Sequence, residues 1–254
     1  QKKIAGSKIV SSDEFLKLKL KSKVNLIINL FYPSQKIKSL TKCDEFIYQS
    51  LSKLVKGLDG LNNKNINKII YTSSSAVFGL QESIRQPNDA NRKIYSATKL
   101  LAENLVINFC NKNDIYYGIT RVFNLYGEQD EFSIISKLIK ANNKEQSFVL
   151  NNNGSAVRDF INYEEVSKIY SDVLKSNKSG IVDVGTGYGT QIKDIINLLD
   201  KKKVNSKKQN VNEIQYSVSD MNYYNSNLNK NTLNNFLKNK LKLKQLPNVN
   251  KYTS

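Results

Sequence analysis

The chain has 254 residues, with 39 Lys plus Arg against 22 Asp plus Glu, a formal net charge of +17, two cysteines, and neither histidine nor tryptophan. Without histidine this sequence holds no Ser-His-Asp or Cys-His catalytic array, and two cysteines alone cannot complete a structural zinc site. Acid–base chemistry must rest on Tyr, Lys, Asp, Glu or Cys.

Arg85, Arg92, Arg121 and Arg158 are the only arginines; the rest of the positive charge is Lys, mixed with Asn along the whole chain. This pattern reads as a solvated surface, and no nucleic-acid partner is expected. The longest apolar stretch, Val24 to Phe31, is interrupted by Asn25 and Asn29 and is far short of the ~20 residues of a membrane span. The N-terminus carries no charged-then-apolar signal pattern, and Cys43 and Cys110 stand in helical segments outside any cysteine framework. The expectation is a cytoplasmic protein without a membrane partner.

In chain order, Ser12-Asp13-Glu14 opens a short helix through Leu20, and Val24 to Leu30 reads as a buried strand. Thr41 to Leu61 has helical spacing, with Phe46, Leu51, Leu54, Val55 and Leu58 on one stripe. A second strand, Lys68 to Ser73, ends in small hydroxyl residues. A long helix from about Arg92 to Asn111 follows, then a strand from Tyr116 to Phe123. This alternation predicts an α/β fold with a doubly wound parallel sheet.

After Gly127 the elements shorten. Helices are expected at Ser133 to Ala141, Tyr163 to Leu174, Ile192 to Leu199 and Leu228 to Leu237, with strands near Phe148, at Ile181 to Val184 and near Ile214. Lys201 to Gln209 reads as a charged linker. The predicted division is a Rossmann-like cofactor and catalytic domain over residues 1–127 and a smaller C-terminal, mainly substrate-binding lobe over 128–254.

Tyr95 and Lys99, in Ile94-Tyr95-Ser96-Ala97-Thr98-Lys99, lie one helical turn apart on one face. A neighbouring ammonium favours the phenolate and makes tyrosine a usable proton acceptor for an alcohol. The spacing alone is weak, since 14 Tyr and 35 Lys give about two such pairs by chance, and two occur. The other, Tyr32 and Lys36, contains Pro33 and follows a strand, which excludes a regular mid-helix pair. The first pair gains from Ser74, 21 residues earlier at the carboxyl end of a predicted parallel strand, where open α/β sheets place their active sites.

With Tyr71-Thr72-Ser73-Ser74-Ser75-Ala76-Val77-Phe78-Gly79 and the Tyr95/Lys99 helix together, the sequence resembles the extended short-chain dehydrogenase/reductase family, the sugar-nucleotide epimerases and dehydratases. The resemblance implies a catalytic set of Ser74, Tyr95 and Lys99, an NAD or NADP cofactor, a nucleotide-sugar substrate and a homodimer. Thr120-Arg121-Val122-Phe123-Asn124-Leu125-Tyr126-Gly127 resembles the family's Arg-x-Phe-Asn-x-Tyr-Gly segment. There the backbone at Val122 would meet the nicotinamide, and Asn124 would approach the substrate diphosphate. Gly154-Ser155-Ala156-Val157-Arg158-Asp159-Phe160-Ile161 resembles the segment whose arginine holds that diphosphate, a task suited to a planar bidentate fork. By the same resemblance Leu30 and Phe31 would cover the cofactor and Ser75 would touch the substrate. The implied reaction is epimerisation or 4-keto reduction. A 4,6-dehydratase is disfavoured because Ser75-Ala76 stand where that activity's Asp-Glu pair is expected.

Two features depart from the pattern. Val182-Asp183-Val184-Gly185-Thr186-Gly187-Tyr188-Gly189 looks like a nucleotide loop, but Thr190 occupies the third glycine position of G-x-G-x-x-G, and only 65 residues follow Gly189, too few for a methyltransferase sheet. The segment reads as structural. No G-x-x-G-x-x-G cofactor turn occurs in these residues, and Asn29-Leu30-Phe31-Tyr32-Pro33 is bulky where the family has a small turn. The sequence enters the family pattern just before Val24, so either a cofactor-binding stretch precedes Gln1 or the member is degenerate. A non-catalytic binding protein on the same scaffold, touching RNA through its lysines, is the rival reading.

Overall fold

In the computed structural model, Val24–Ile28 (β1) and Ile66–Ser74 (β2) lie side by side as parallel strands, with Ile27 opposite Ile70 and Ile28 opposite Tyr71. The structure describes all residues except 1–6, 31, 33–36, 38, 83–89, 129, 145–146, 200–205, 212, 223, 230, 248, 250–251 and 254. Ser12–Phe15 (α1) precedes β1 and is fixed by a reciprocal cap: Ser11 Oγ accepts from the Glu14 amide and Glu14 Oε2 accepts from the Ser11 amide at 2.6 Å. It ends well before Leu20. From Lys17 the charged and apolar residues alternate with period two, so a helix could not put Leu18 and Leu20 on one face, and both pack on the core from an irregular segment.

A parallel pair needs a crossover, here Leu40–Ile47 (α2), a π-helical stretch Tyr48–Ser52, and Lys53–Asp59 (α3). The wide turn rotates the following residues about the axis. Phe46, Leu54 and Leu58 are buried as the spacing predicts, but Val55, expected on the same stripe, is exposed. β2 is buried along nearly its whole length, the signature of a strand covered on both faces. It even takes in Lys68, whose ammonium donates to the carbonyls of Ser176 and Lys178.

After the single turn Gly79–Glu82 (α4), the 23-residue helix Ala90–Lys112 (α5) packs Ala102, Val106 and Cys110 into the same core as Ile69, Tyr71 and Ile119. Tyr116–Val122 (β3) and Gly180–Val184 (β7) complete a four-stranded sheet in the order β1-β2-β3-β7, a Rossmann-like α/β arrangement.

The contacts divide the chain into two interleaved units, residues 1–80, 89–120 and 176–181, and residues 81–88, 121–175 and 182–254. In the second, Val157–Asn162 (β6) runs parallel to Asn124–Tyr126 (β4) and to Tyr216–Ser217 (β10), and antiparallel to Tyr188–Gln191 (β8). Tyr252–Thr253 (β11) pairs with β8. Helices Ile134–Lys144 (α6), Tyr163–Lys175 (α7), Ile192–Ile196 (α8) and Thr232–Leu241 (α9) belong to this unit, whose core includes Tyr126, Ile135, Leu138, Phe160, Ile195 and Leu237.

The end of the expected linker is a strand: Ser206–Gln209 (β9) pairs in parallel with Phe148–Asn151 (β5). Backbone pairing to an available edge, which a charged sequence neither signals nor prevents, decides its conformation. The strands at 124–126, 157–162 and 188–191 likewise escape sequence reading, being too short to establish a period.

Candidate active site

The site is built where β2 ends. Ser74 is extended (φ −146°, ψ 145°), and its hydroxyl accepts from the Ala76 amide at 3.2 Å, so it caps the tight turn Ser75–Phe78 and faces away from the strand ladder. Helix α5 brings Tyr95, Lys99 and Glu103 to one face at successive fourth residues. The Tyr95 hydroxyl faces Ser74, which pulls its pKa down, and the Tyr95 ring lies 6.3 Å from Phe46. Lys99, buried at 4 % exposure, donates to the Thr72 carbonyl at 2.9 Å and the Leu30 carbonyl at 3.2 Å. Its ammonium also lies 3.5 Å from the Tyr71 hydroxyl. Ser74, Tyr95, Lys99 and Leu30 are thus gathered at the carboxyl ends of β1 and β2. Phe31 lies outside the described residues.

Two further members were not singled out in the sequence. Glu103 is buried, accepts from Ser73 Oγ, and holds up the Lys99 pKa. Tyr71 places its ring 5.1 Å under the Lys99 ammonium. Glu103 carried a usable signal, since it is one turn beyond Lys99 on the same stripe. Tyr71 carried none beyond an apolar strand position.

Burial sets the ionisation. Desolvation lowers Lys99 to about 8, against a smaller opposite effect of Glu103. Desolvation raises the Tyr95 phenol, and the Ser74 hydroxyl pulls it partly back. The Lys99 ammonium, expected to favour the phenolate, is directed instead at the Leu30 and Thr72 carbonyls and the Tyr71 hydroxyl.

In the second unit, Val122 ends β3 and Asn124 opens β4, where its amide donates to the Asp159 carbonyl at 2.9 Å. Arg158, on β6, donates to Glu213 at 3.1 Å and to the Val157 carbonyl. Glu213, which pairs with it, is 55 residues away in sequence. Asp159 is fully buried and takes hydrogen bonds from the amides of Thr186, Gly187 and Ser219 and from the hydroxyls of Thr186 and Ser219. The glycine-rich segment that looks like a nucleotide loop is thus wrapped around a carboxylate. A Cβ at Gly185 would stand 2.4 Å from Asp159 Oδ2 and from Ser219 Oγ, and Gly187 has φ +74°.

A family model described as the NAD dependent epimerase/dehydratase family matches residues 3–185. The chain belongs to this family. Among its curated relatives, a putative UDP-glucose 4-epimerase of Methanocaldococcus jannaschii is 30% identical over 56% of this chain and 49% of its own length. The UDP-glucose 4-epimerase of Corynebacterium glutamicum is 22% identical over 63% of this chain and 55% of its own. The chain spans about half the length of these relatives. Among solved structures, a UDP-N-acetylglucosamine 4-epimerase from Methanobrevibacter ruminantium, in complex with UDP-N-acetylmuramic acid, superposes with a TM-score of 0.73 at 21% identity. That match covers 90% of this chain and 78% of the other. This epimerase/dehydratase member shows no helix long and apolar enough to cross a membrane, and no cluster of three or more acidic or cysteine ligands for a metal, among the described residues.

Proposed function

We propose that the protein is a sugar-nucleotide epimerase in which Tyr95 accepts the proton of a sugar hydroxyl. The observation that carries this reading is the convergence of the Ser74 hydroxyl, the Tyr95 phenol and the buried Lys99 ammonium at the strand ends of a chain in an NAD-dependent family. Burial alone holds Tyr95 as a neutral phenol, so it would accept a proton only as the phenolate that the positive charge of an oxidised nicotinamide would favour when bound; Ser74 would then hold the reacting oxygen while Tyr95 takes and later returns its proton, and the alcohol and ketone of the sugar interconvert at this position. The nicotinamide, when bound, supplies the hydride exchange at the same carbon. The residues suit the nicotinamide-ribose end of such a cofactor: a buried cation held on carbonyl oxygens can exchange them for ribose hydroxyls. Leu30 and Val122 are proposed to meet the cofactor, and Ser75 and Asn124 the sugar nucleotide. Arg158 is proposed to exchange Glu213 for the substrate diphosphate.

The test is turnover of UDP-glucose and UDP-N-acetylglucosamine with NAD by the protein as it occurs, read by NMR of the sugar ring. Epimerisation yields the C4 epimer with no net change in reduced nicotinamide, whereas a 4-keto reductase would form no epimer from these sugars and would consume NADH or NADPH only when supplied with a 4-keto sugar nucleotide. Tyr95→Phe should lower turnover about 10²–10⁴-fold, and Ser74→Ala about 10²–10³-fold. Near-wild-type turnover by Tyr95→Phe would refute the mechanism.

A further inference from the structure

Within the second unit, Glu213 uses both carboxylate oxygens on partners from other segments. Oε2 accepts from Arg158 Nη2 at 3.1 Å, and Oε1 accepts from the Asn152 side-chain amide at 3.0 Å. The side chains of Arg158 and Glu213 are only 11 % and 16 % exposed, so each charge acts strongly on the other. Asn152 does more than touch the carboxylate. The same amide donates to the Val211 carbonyl at 2.7 Å, and Asn152 Oδ1 accepts from the Val211 amide at 2.9 Å. Asn152, Asn153 and Gly154 follow one another at φ 45°, 54° and 70°, a run of left-handed backbone that asparagine and glycine tolerate best. The side chain leaving this turn thus grips the chain two residues before Glu213 and holds the carboxylate in place.

Arg158 has a second anchor besides Glu213. Its Nη1 donates to the Val157 carbonyl of its own strand at 2.9 Å. Glu213 stands in neither helix nor strand, between the Asn152 grip on Val211 and the 2.8 Å bond from the Val157 amide to the Gln215 carbonyl. Its side chain can turn away without breaking a strand ladder. The guanidinium is therefore an oriented anion receptor already filled by a carboxylate of the same chain. A diphosphate offers that planar fork more oxygens and more charge than the carboxylate does.

We propose that Glu213, held by Asn152, is a built-in competitor for Arg158 that the substrate diphosphate must displace, and that it sets the affinity of this site for nucleotide sugars. The inference rests on the reading of Arg158 as the diphosphate ligand. A purely structural ion pair predicts the opposite response, because its loss would leave Arg158 less well ordered and weaken binding. The experiment is calorimetric titration of the protein as it occurs with UDP-glucose at fixed ionic strength. Glu213→Gln keeps an acceptor for Asn152 but removes the competing charge, and should tighten binding about tenfold. Asn152→Gly keeps the left-handed backbone while releasing the grip, and should tighten binding as well. In an Arg158→Ala background the gain from Glu213→Gln should vanish. Equal or weaker binding by Glu213→Gln would make the pair a structural tie and overturn the inference, as would absence of binding by both that variant and the wild type. A gain that persists in the Arg158→Ala background would also overturn it, since Glu213 would then act by general repulsion. Arg158→Ala alone tests the diphosphate reading separately: near-wild-type binding there would refute that reading whatever Glu213→Gln does.

Discussion

Lys99 shows how a single side chain couples the candidate chemistry to stability. With a pKa of about 8 in the fold against 10.5 for the free side chain, the folded protein binds fewer protons than the unfolded chain between these values. Stability attributable to this group therefore rises with pH through that window, by up to about 1.4 kcal/mol per unit, and is lost again as the pH falls through about 8. Lys99→Met should thus be more stable than wild type near neutrality, and the gap should close between pH 8 and 10.5, as urea unfolding at stepped pH would show. A gap that widens with pH would contradict the burial argument. Glu103→Gln removes the carboxylate whose charge raises the lysine, so the same titration should move to lower pH. The Tyr95 and Lys99 pair was readable because one-turn spacing is a property of the helix alone. That the ammonium would choose the Leu30 and Thr72 carbonyls over the phenol was not, since those carbonyls come from other strands.

At the scale of elements, the β6 strand and the glycine-rich loop after β7 form one device. Asp159 accepts from three backbone amides and two hydroxyls, all from segments distant in sequence. Asp159→Ala leaves those amides buried without an acceptor, at about 1–3 kcal/mol each before relaxation, and should lower the unfolding free energy by at least about 3 kcal/mol in urea titration. Gly185→Ala should be comparably harmful because its Cβ would meet the carboxylate, whereas Gly180→Ala, with nothing within 4 Å, serves as the control and should be near neutral. If Gly185→Ala and Gly180→Ala unfold alike, the loop is not packed around Asp159 as described. The missing third glycine was enough to disqualify this loop as a nucleotide site, but its true ligand, a carboxylate of the same chain, required the register of β6 against β8. The π turn at Tyr48–Ser52 is a similar case: the apolar stripe located the helix, while the extra residue that turns Val55 outward left no mark in the pattern.

For the molecule as a whole, the net charge of +17 comes almost entirely from lysine. Solvated lysines predict weak, sequence-independent binding to duplex DNA or RNA that disappears between low and physiological salt, measurable by fluorescence anisotropy. Retention of a sequence-selective RNA complex at physiological salt would instead favour the binding-protein reading. The sequence by itself determined the α/β class, the order of the longer elements and the placement of Ser74, Tyr95 and Lys99 in a family frame, because periodicity and motif spacing are local. Tertiary structure alone decided that Arg158 meets Glu213, that Glu103 and Asp159 are buried acceptors, and that the end of a lysine-rich stretch becomes a strand. Each of these depends on which distant segments are brought together. Burial then turns an ordinary carboxylate or ammonium into a group that must find a partner, and no local pattern encodes that requirement.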